Sequence, residues 1–353
     1  MRILIVKTSA IGDVLQTLPV LSYLKSRYPD AQIDWVVEAS SASLLKAHPD
    51  LTRVIVVHSK KWRKAPFMHR REIAETLRSL RAVSYDLLFD LQGNSKSALL
   101  TFTARAKEKV GFAFSSLPEK TNWLVTNRRF TPSAHLSRPA YYLSLVQSAF
   151  NDSAPFTSVP LELRLTEQEQ QRLDTLLPST ERPKFMVCFG SNWTNKQLEP
   201  SQLASFLAQV DAHYAPHFLF IYGNAVEKSQ AEALHALFPH SQVVGEMSLA
   251  FWQRLMQRMD LLLTMDSAAL HLCATTTTPS FSFFGPSSSA LYKPEGEQHA
   301  SFQGSCPYGR TFAVRCPVLR TCPTGACLKD APMHELFAHF QRFCAFKYSV
   351  RKF

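Results

Sequence analysis

The segment MRILIVKTSAIGDVLQTLPVLSYLKSRYPDAQIDWVVE, residues 1–38, switches between two hydrophobic periods within one short stretch. Ile3–Lys7 is an apolar, β-rich run, and the small residues of Thr8–Gly12 follow it. Val14–Arg27 then places apolar side chains at a spacing of about 3.6 residues, before Ile33–Glu38 returns to a β-rich run. Strand, helix and strand at this spacing make a right-handed βαβ unit with parallel strands. Lys7 and Asp13 interrupt the first apolar run. It therefore reads as a buried strand with no signal peptide, and the expected compartment is the cytoplasm.

The alternation continues outward from this unit. Val54–Val57 and Leu87–Asp90 read as strands, with a helix over Arg71–Arg81. The pattern pauses in the Pro- and Ser-containing stretch 153–180 and restarts with Phe185–Phe189, Phe218–Tyr222, Leu261–Met265 and Phe281–Phe284. Helical runs at Ser201–His213, Ala225–Leu237, Leu249–Arg258 and Ser267–Ala274 lie between or beside those strands. The fold class is α/β, with two doubly wound, Rossmann-like parallel-sheet domains over 1–165 and 182–330. Ligands of such sheets bind beyond the carboxyl ends of the strands, so two domains facing a central cleft would share one active site. The amphipathic segment Met333–Phe346, within 331–353, is expected to pack back on the first domain.

A length of 353 residues suits two domains, and 46% hydrophobic with 19% charged residues describes a foldable globular chain. No run approaches the about 20 apolar residues that cross a bilayer as a helix. The net charge is +11, and Lys60–Arg81 alone carries eight basic residues against Glu72 and Glu75, a local net of +6. Such a patch fits a polyanion, either nucleic acid, an anionic membrane surface or a phosphorylated acceptor, unless it is simply a solvated helix face. Of the seven cysteines, Cys188 and Cys273 sit in apolar runs and Cys344 stands alone. Cys306, Cys316, Cys322 and Cys327 cluster, but without the paired C-x2-C knuckles of common zinc sites; they are either reduced packing or a structural metal clip.

Chemistry is expected at the strand ends. Lys7–Asp13 offers a tight loop of small residues opening a helix, with Asp13 either a functional carboxylate or a first-turn helix acid. Neither a G-x-G-x-x-G nor a Walker loop is present there, which removes dinucleotide and ATPase readings. Phe189–Lys196 brings hydroxyls, amides and one lysine suited to a diphosphate. Tyr222–Glu227 ends in a carboxylate placed for ribose hydroxyls, and Thr264–His271 forms a third polar strand end.

The segments KTSAIGDVLQTLP (7–19), KKWRKAPF (60–67), DLQGNSKSALL (90–100), GSNWTNK (190–196), the Glu227 turn, MDSAALHL (265–272) and FFGP (283–286) together resemble the ADP-heptose:lipopolysaccharide heptosyltransferases, glycosyltransferase family 9. KKWRKAPF is most similar to heptosyltransferase I, which attaches the first heptose to the Kdo sugars of lipid A. The resemblance implies a GT-B fold with the donor on the C-terminal domain, and an inverting reaction without metal or cofactor. It implies Asp13 as catalytic base, and Lys196 on the donor phosphates beside Ser191 and Asn192. Glu227 would hold the ribose, Met247 would lie beside the adenine, and Asp266, Ser267 and His271 would complete the donor site. Gly12, Lys61, Arg63, Lys64 and Lys120 would meet the acceptor. Ala268 stands where the family has glycine, Asn192 where it has threonine, and Pro118 where a further arginine is expected. The implied partners are ADP-heptose, a Kdo–lipid A type acceptor and the inner-membrane surface touched peripherally, with no nucleic acid. Two rivals remain: heptose transfer to a core heptose or a protein hydroxyl, and a non-catalytic basic binding protein.

Overall fold

The computed structural model describes residues 1–348 and divides the chain into two compact units, Met1–Arg164 and Leu165–Phe353. In the first unit the strands are β1 (Arg2–Val6), β2 (Gln32–Glu38), β3 (Arg53–Val57), β4 (Ser84–Asp90), β5 (Arg105–Phe112) and β6 (Arg128–Phe130). They form one parallel sheet in the order β3-β2-β1-β4-β5-β6. Ile3 to Val6 of β1 are fully buried, as a central strand covered on both faces must be. The second unit repeats the plan with β7 (Lys184–Cys188), β8 (His217–Ile221), β9 (Ser241–Val244), β10 (Leu261–Met265), β11 (Ser280–Phe284) and β12 (His299–Gln303). Its order, β9-β8-β7-β10-β11-β12, is the same doubly wound order. Two Rossmann-like units in tandem are the GT-B plan expected from the sequence.

Both sheets reverse their winding beside their first strand, between β1 and β4 and between β7 and β10. In β1 and β4 the register sets Val6 against Asp90, so the loops after them leave the sheet side by side. In β7 and β10 it sets Cys188 against Thr264, with the same consequence.

The structure changes several expected boundaries. The helix expected over Val14–Arg27 is two helices, Ile11–Leu15 and Leu18–Arg27. Pro19, in the first turn of the second, lacks an N–H and has φ preset for a helix start. Strands β5, β6, β9 and β12 were not foreseen; they lie toward sheet edges, and their half-exposed side chains make no continuous apolar run. The second unit starts at Leu165 rather than at 182, because Glu167–Leu176 is a helix capped by Thr166 and Glu169. That helix is tied to the second unit through Glu169–Ser248 and Arg172–Gly245 hydrogen bonds.

The largest correction concerns the C-terminal segment. The helix Met333–Tyr348 was expected against the first unit, yet Leu336, Phe337, Phe340, Phe343 and Cys344 lie in the core of the second. That core is aromatic. Phe185, Phe218, Phe220, Phe281, Phe283 and Phe302 point to one face of the sheet, where Phe206 meets Phe283 at 5.3 Å and Phe340 at 5.4 Å. Residues 349–353 of the expected segment lie outside the described residues.

Candidate active site

In the first unit the loop after β1 is fixed from two sides. Gln92 Oε1, from the loop after β4, accepts from the Thr8 and Ser9 amides at 2.9 and 3.1 Å and from the Thr8 hydroxyl. The Trp35 indole donates to the Lys7 carbonyl at 3.0 Å. The loop then turns into the helix Ile11–Leu15, where half-buried Asp13 accepts from the Ala10 amide at 3.2 Å. Gly12 precedes it and leaves that turn without a side chain.

Lys7 is buried behind this loop and donates to the Leu91 carbonyl at 3.1 Å and the Tyr142 hydroxyl at 2.8 Å. Burial brings its pKa down to about 8; Asp13 and Asp90 work against that fall, and Arg138 adds to it. Asp90 is itself fully buried and anchors the β4 loop, accepting from the Gly93 amide, Thr101 and Asn122. Sequence reading gave no role to Lys7, Asp90 or Gln92. A lysine interrupting a buried strand was the one visible signal.

The residues expected to meet an acceptor lie along the same carboxyl edge, on separate strand ends. Lys61, Arg63 and Lys64 are exposed on the helix Ser59–Lys64 after β3, and no acidic partner pairs with them among the described residues. Lys120 lies beyond β5. Its ammonium donates to the Phe114 and Leu117 carbonyls of its own loop.

In the second unit the expected donor residues gather on the carboxyl ends of four adjacent strands, β9, β8, β7 and β10. Ser191 and Asn192 lie in the loop after β7, with Asn192 exposed, and Lys196 ends the short turn Thr194–Lys196. The Lys196 ammonium pairs with Asp266, just beyond β10, and the Ser287 hydroxyl donates to the same carboxylate oxygen. Burial pushes the Asp266 carboxyl up, but the Lys196 ammonium, His271 and both hydrogen bonds outweigh it and hold the carboxyl below its ordinary value. Ser267 stands at the start of the helix Ala268–Cys273, which carries buried His271.

Glu227, after β8, accepts from the Gly223 amide at 2.7 Å, and its own amide is capped by Asn224. Its carboxylate lies so close over Gly190 that a Cβ there would collide with it. Met247 is half buried in the loop after β9. Sequence reasoning missed Ser287 and the space that Gly190 leaves for Glu227. A glycine directly after a buried strand was the available clue to the second.

The four clustered cysteines sit beside this loop. Cys306, Cys316, Cys322 and Cys327 line a cavity of about 30 Å³ with Asn195 and Pro286. Small-molecule pockets run roughly 300–1,000 Å³, so the cavity is no substrate site. Among the described residues no three His, Cys, Asp or Glu side chains are grouped to hold a metal ion. Asn195 donates to the Leu319 and Cys322 carbonyls, both at 2.9 Å, so the cysteine segment buttresses the Lys196 turn from behind.

Known proteins resemble this chain in sequence and fold. Lipopolysaccharide heptosyltransferase 1 of Pseudomonas aeruginosa is 29% identical over 324 residues, covering 90% of this chain and 87% of that protein. The protein of the same name from Escherichia coli K12 is 28% identical over 293 residues, 82% and 90% of the two chains. The solved E. coli heptosyltransferase WaaC with ADP superposes with a TM-score of 0.76 at 26% identity, over 86% of this chain and 94% of that one. The family 9 glycosyl transferase of Veillonella parvula, 15% identical, shares the fold with a TM-score of 0.77 over 97% and 96% of the two chains. The model of glycosyltransferase family 9 (heptosyltransferase) matches residues 73–318, well over half of the sequence, and the chain belongs to that family.

Proposed function

We propose that this chain moves heptose from ADP-heptose to the Kdo region of the lipopolysaccharide inner core, with inversion and without a metal or cofactor. The observation that carries the reading is the convergence at the β9-β8-β7-β10 edge. There a paired Lys196–Asp266, a carboxylate seated on Gly190 and the Met247 loop match the phosphate, ribose and base of a nucleoside diphosphate sugar. Similarity to lipopolysaccharide heptosyltransferase 1 over most of the chain supports heptose as the sugar. The exposed Lys61, Arg63 and Lys64 supply positive charge for Kdo carboxylates and lipid A phosphates.

The reaction is a single displacement. Asp13 takes the proton of the acceptor hydroxyl while that oxygen attacks the anomeric carbon. The bond from that carbon to the diphosphate oxygen breaks, and ADP leaves with the electron pair. Lys196 stabilises the growing phosphate charge, and Asp266 with Ser287 holds the ammonium in place. An acceptor anchored in lipid places this work at the cytoplasmic face of the inner membrane. The test is ADP release with ADP-heptose and a panel of truncated lipopolysaccharides, with the product anomer read by NMR. Turnover on Kdo-terminated acceptors and an inverted anomer are expected. Turnover confined to heptose-terminated cores or protein hydroxyls would overturn the Kdo assignment.

A further inference from the structure

The first unit exposes large apolar side chains at a place that the transfer chemistry does not use. Leu99 is 58% exposed, Phe102 72%, Phe114 55%, Trp123 38% and Leu124 77%. Leu99 and Phe102 are three residues apart on the helix Ser95–Thr103, so they share its outer face with Lys96. The short helix Lys120–Val125 is fastened to that helix through Ser95–Thr121 at 2.7 Å and Asn122–Ser97 at 3.1 Å. The Phe114 and Trp123 rings meet edge to face at 6.4 Å. Exposed apolar groups gathered on two elements fastened together mark an interaction surface.

Cations border these groups. The Lys120 ammonium lies 4.7 Å from the Phe114 ring centre and the Arg129 guanidinium 4.0 Å from that of Trp123. Lys109 donates to the Thr101 and Phe102 carbonyls at the end of the helix. The neighbouring acid, Glu119, is held by the Ser95 amide and hydroxyl. The whole unit repeats the bias. Residues 1–164 hold 23 Lys and Arg against 13 Asp and Glu, net +10, and the remaining 16 against 15 leave +1.

We infer that this surface docks on an anionic phospholipid bilayer, with Phe102, Leu124 and their neighbours entering the headgroup–acyl boundary. Shallow apolar insertion combined with a basic rim is the pairing that holds a protein on a charged membrane. A second copy of the chain would set one strongly cationic face against another, so it fits less well. The segment after β5 leaves the sheet at the same carboxyl edge as the Asp13 loop. The docked face thus reaches the edge from which a lipid-borne acceptor would be met, and in this respect the inference rests on the function proposed above.

The test is co-sedimentation of the full chain with vesicles, with no donor or acceptor present. Vesicles of phosphatidylethanolamine with phosphatidylglycerol should bind it at least tenfold more tightly than phosphatidylcholine alone, and less so in high salt. The triple variant Leu99→Ser, Phe102→Ser, Leu124→Ser should lose at least tenfold of that binding. It should keep ADP affinity, and turnover on a water-soluble truncated acceptor should stay within about twofold. Independently, brominated acyl chains should quench wild-type tryptophan fluorescence more than that of Trp123→Phe. Equal binding by wild type and triple variant, or quenching unchanged by Trp123→Phe, overturns the inference. So does loss of self-association, rather than of vesicle binding, in the triple variant. Failure of turnover on soluble acceptors by the wild type would instead strike the proposed function and leave the vesicle result standing.

Discussion

Asp13 occupies the first turn of its helix, where an acid is worth only about 0.3–1 kcal/mol. Its removal should therefore spare the fold and show itself in catalysis. Asp13→Asn should lower kcat by about 10²–10⁴, roughly 3–5 kcal/mol of barrier, in single-turnover transfer with both substrates saturating. A rate within about threefold of wild type would leave Asp13 as a helix acid alone. Glu227 poses a different question, since its carboxylate needs the space above Gly190. Glu227→Ala and Gly190→Ala should both weaken ADP binding in calorimetry, the second by displacing a carboxylate it does not replace. Unchanged affinity in both would remove Glu227 from the donor site. Lys7 gives a pH signature. Its pKa is lowered by burial to about 8, so between about 8 and the ordinary lysine value the unfolded chain binds the extra proton. Stability of wild type relative to Lys7→Met should accordingly rise with pH across that window, by on the order of 3 kcal/mol in denaturant unfolding. A flat difference would mean that Lys7 titrates normally. The places of Asp13, Lys196 and Glu227 at strand ends were legible because they follow β-rich runs in recognisable motifs. The roles of Lys7, Gln92, Gly190 and Ser287 were not, because each depends on a partner from another strand end.

Among the elements, the helix Met333–Tyr348 closes the core of the second unit. Phe340 is fully buried and contacts the rings of Phe206 and Phe281 at 5.4 and 5.3 Å. Phe340→Ala should cost about 3–5 kcal/mol in urea unfolding, the usual penalty for emptying a packed aromatic site. A loss below about 1 kcal/mol would show the helix to be loosely held. The sequence displays this segment's amphipathic face but not the surface that it covers. Nothing local in Leu336, Phe340 and Phe343 distinguishes one aromatic-lined sheet from another. Central strands were legible for the opposite reason: burial on both faces writes a continuous apolar run, as in Ile3–Val6. The first half of β5, with Arg105, Lys107 and Lys109, lies before the stretch that pairs with β6, so it is half solvated and carries no such run. The helix Glu167–Leu176 was hidden in a stretch that reads as a linker, although Thr166 and Glu169 form a capping pair there.

The whole molecule is one topology used twice, with different side chains at corresponding edges. The first unit carries Asp13, the basic helix and nearly all the net charge; the second is close to neutral and carries the cluster assigned to the donor. Ser191, Asn192, Lys196, Glu227, Met247, Asp266, Ser267 and His271 all belong to Leu165–Phe353. So do the helix Glu167–Leu176, tied to it through Glu169–Ser248 and Arg172–Gly245, and the helix Met333–Tyr348, which closes its core. If this division of labour is right, residues 165–353 produced alone should fold cooperatively and bind ADP within about threefold of the full chain. They should transfer no sugar, because the proton acceptor is absent. The fragment should also lose the affinity for anionic vesicles, since that property is traced to the other unit. Calorimetry with ADP, on a fragment first shown to unfold cooperatively, decides the matter. A folded fragment that binds ADP more than about tenfold weaker than the full chain would mean that the first unit supplies part of the nucleotide contact. The donor site would then have to be redrawn across both sheets.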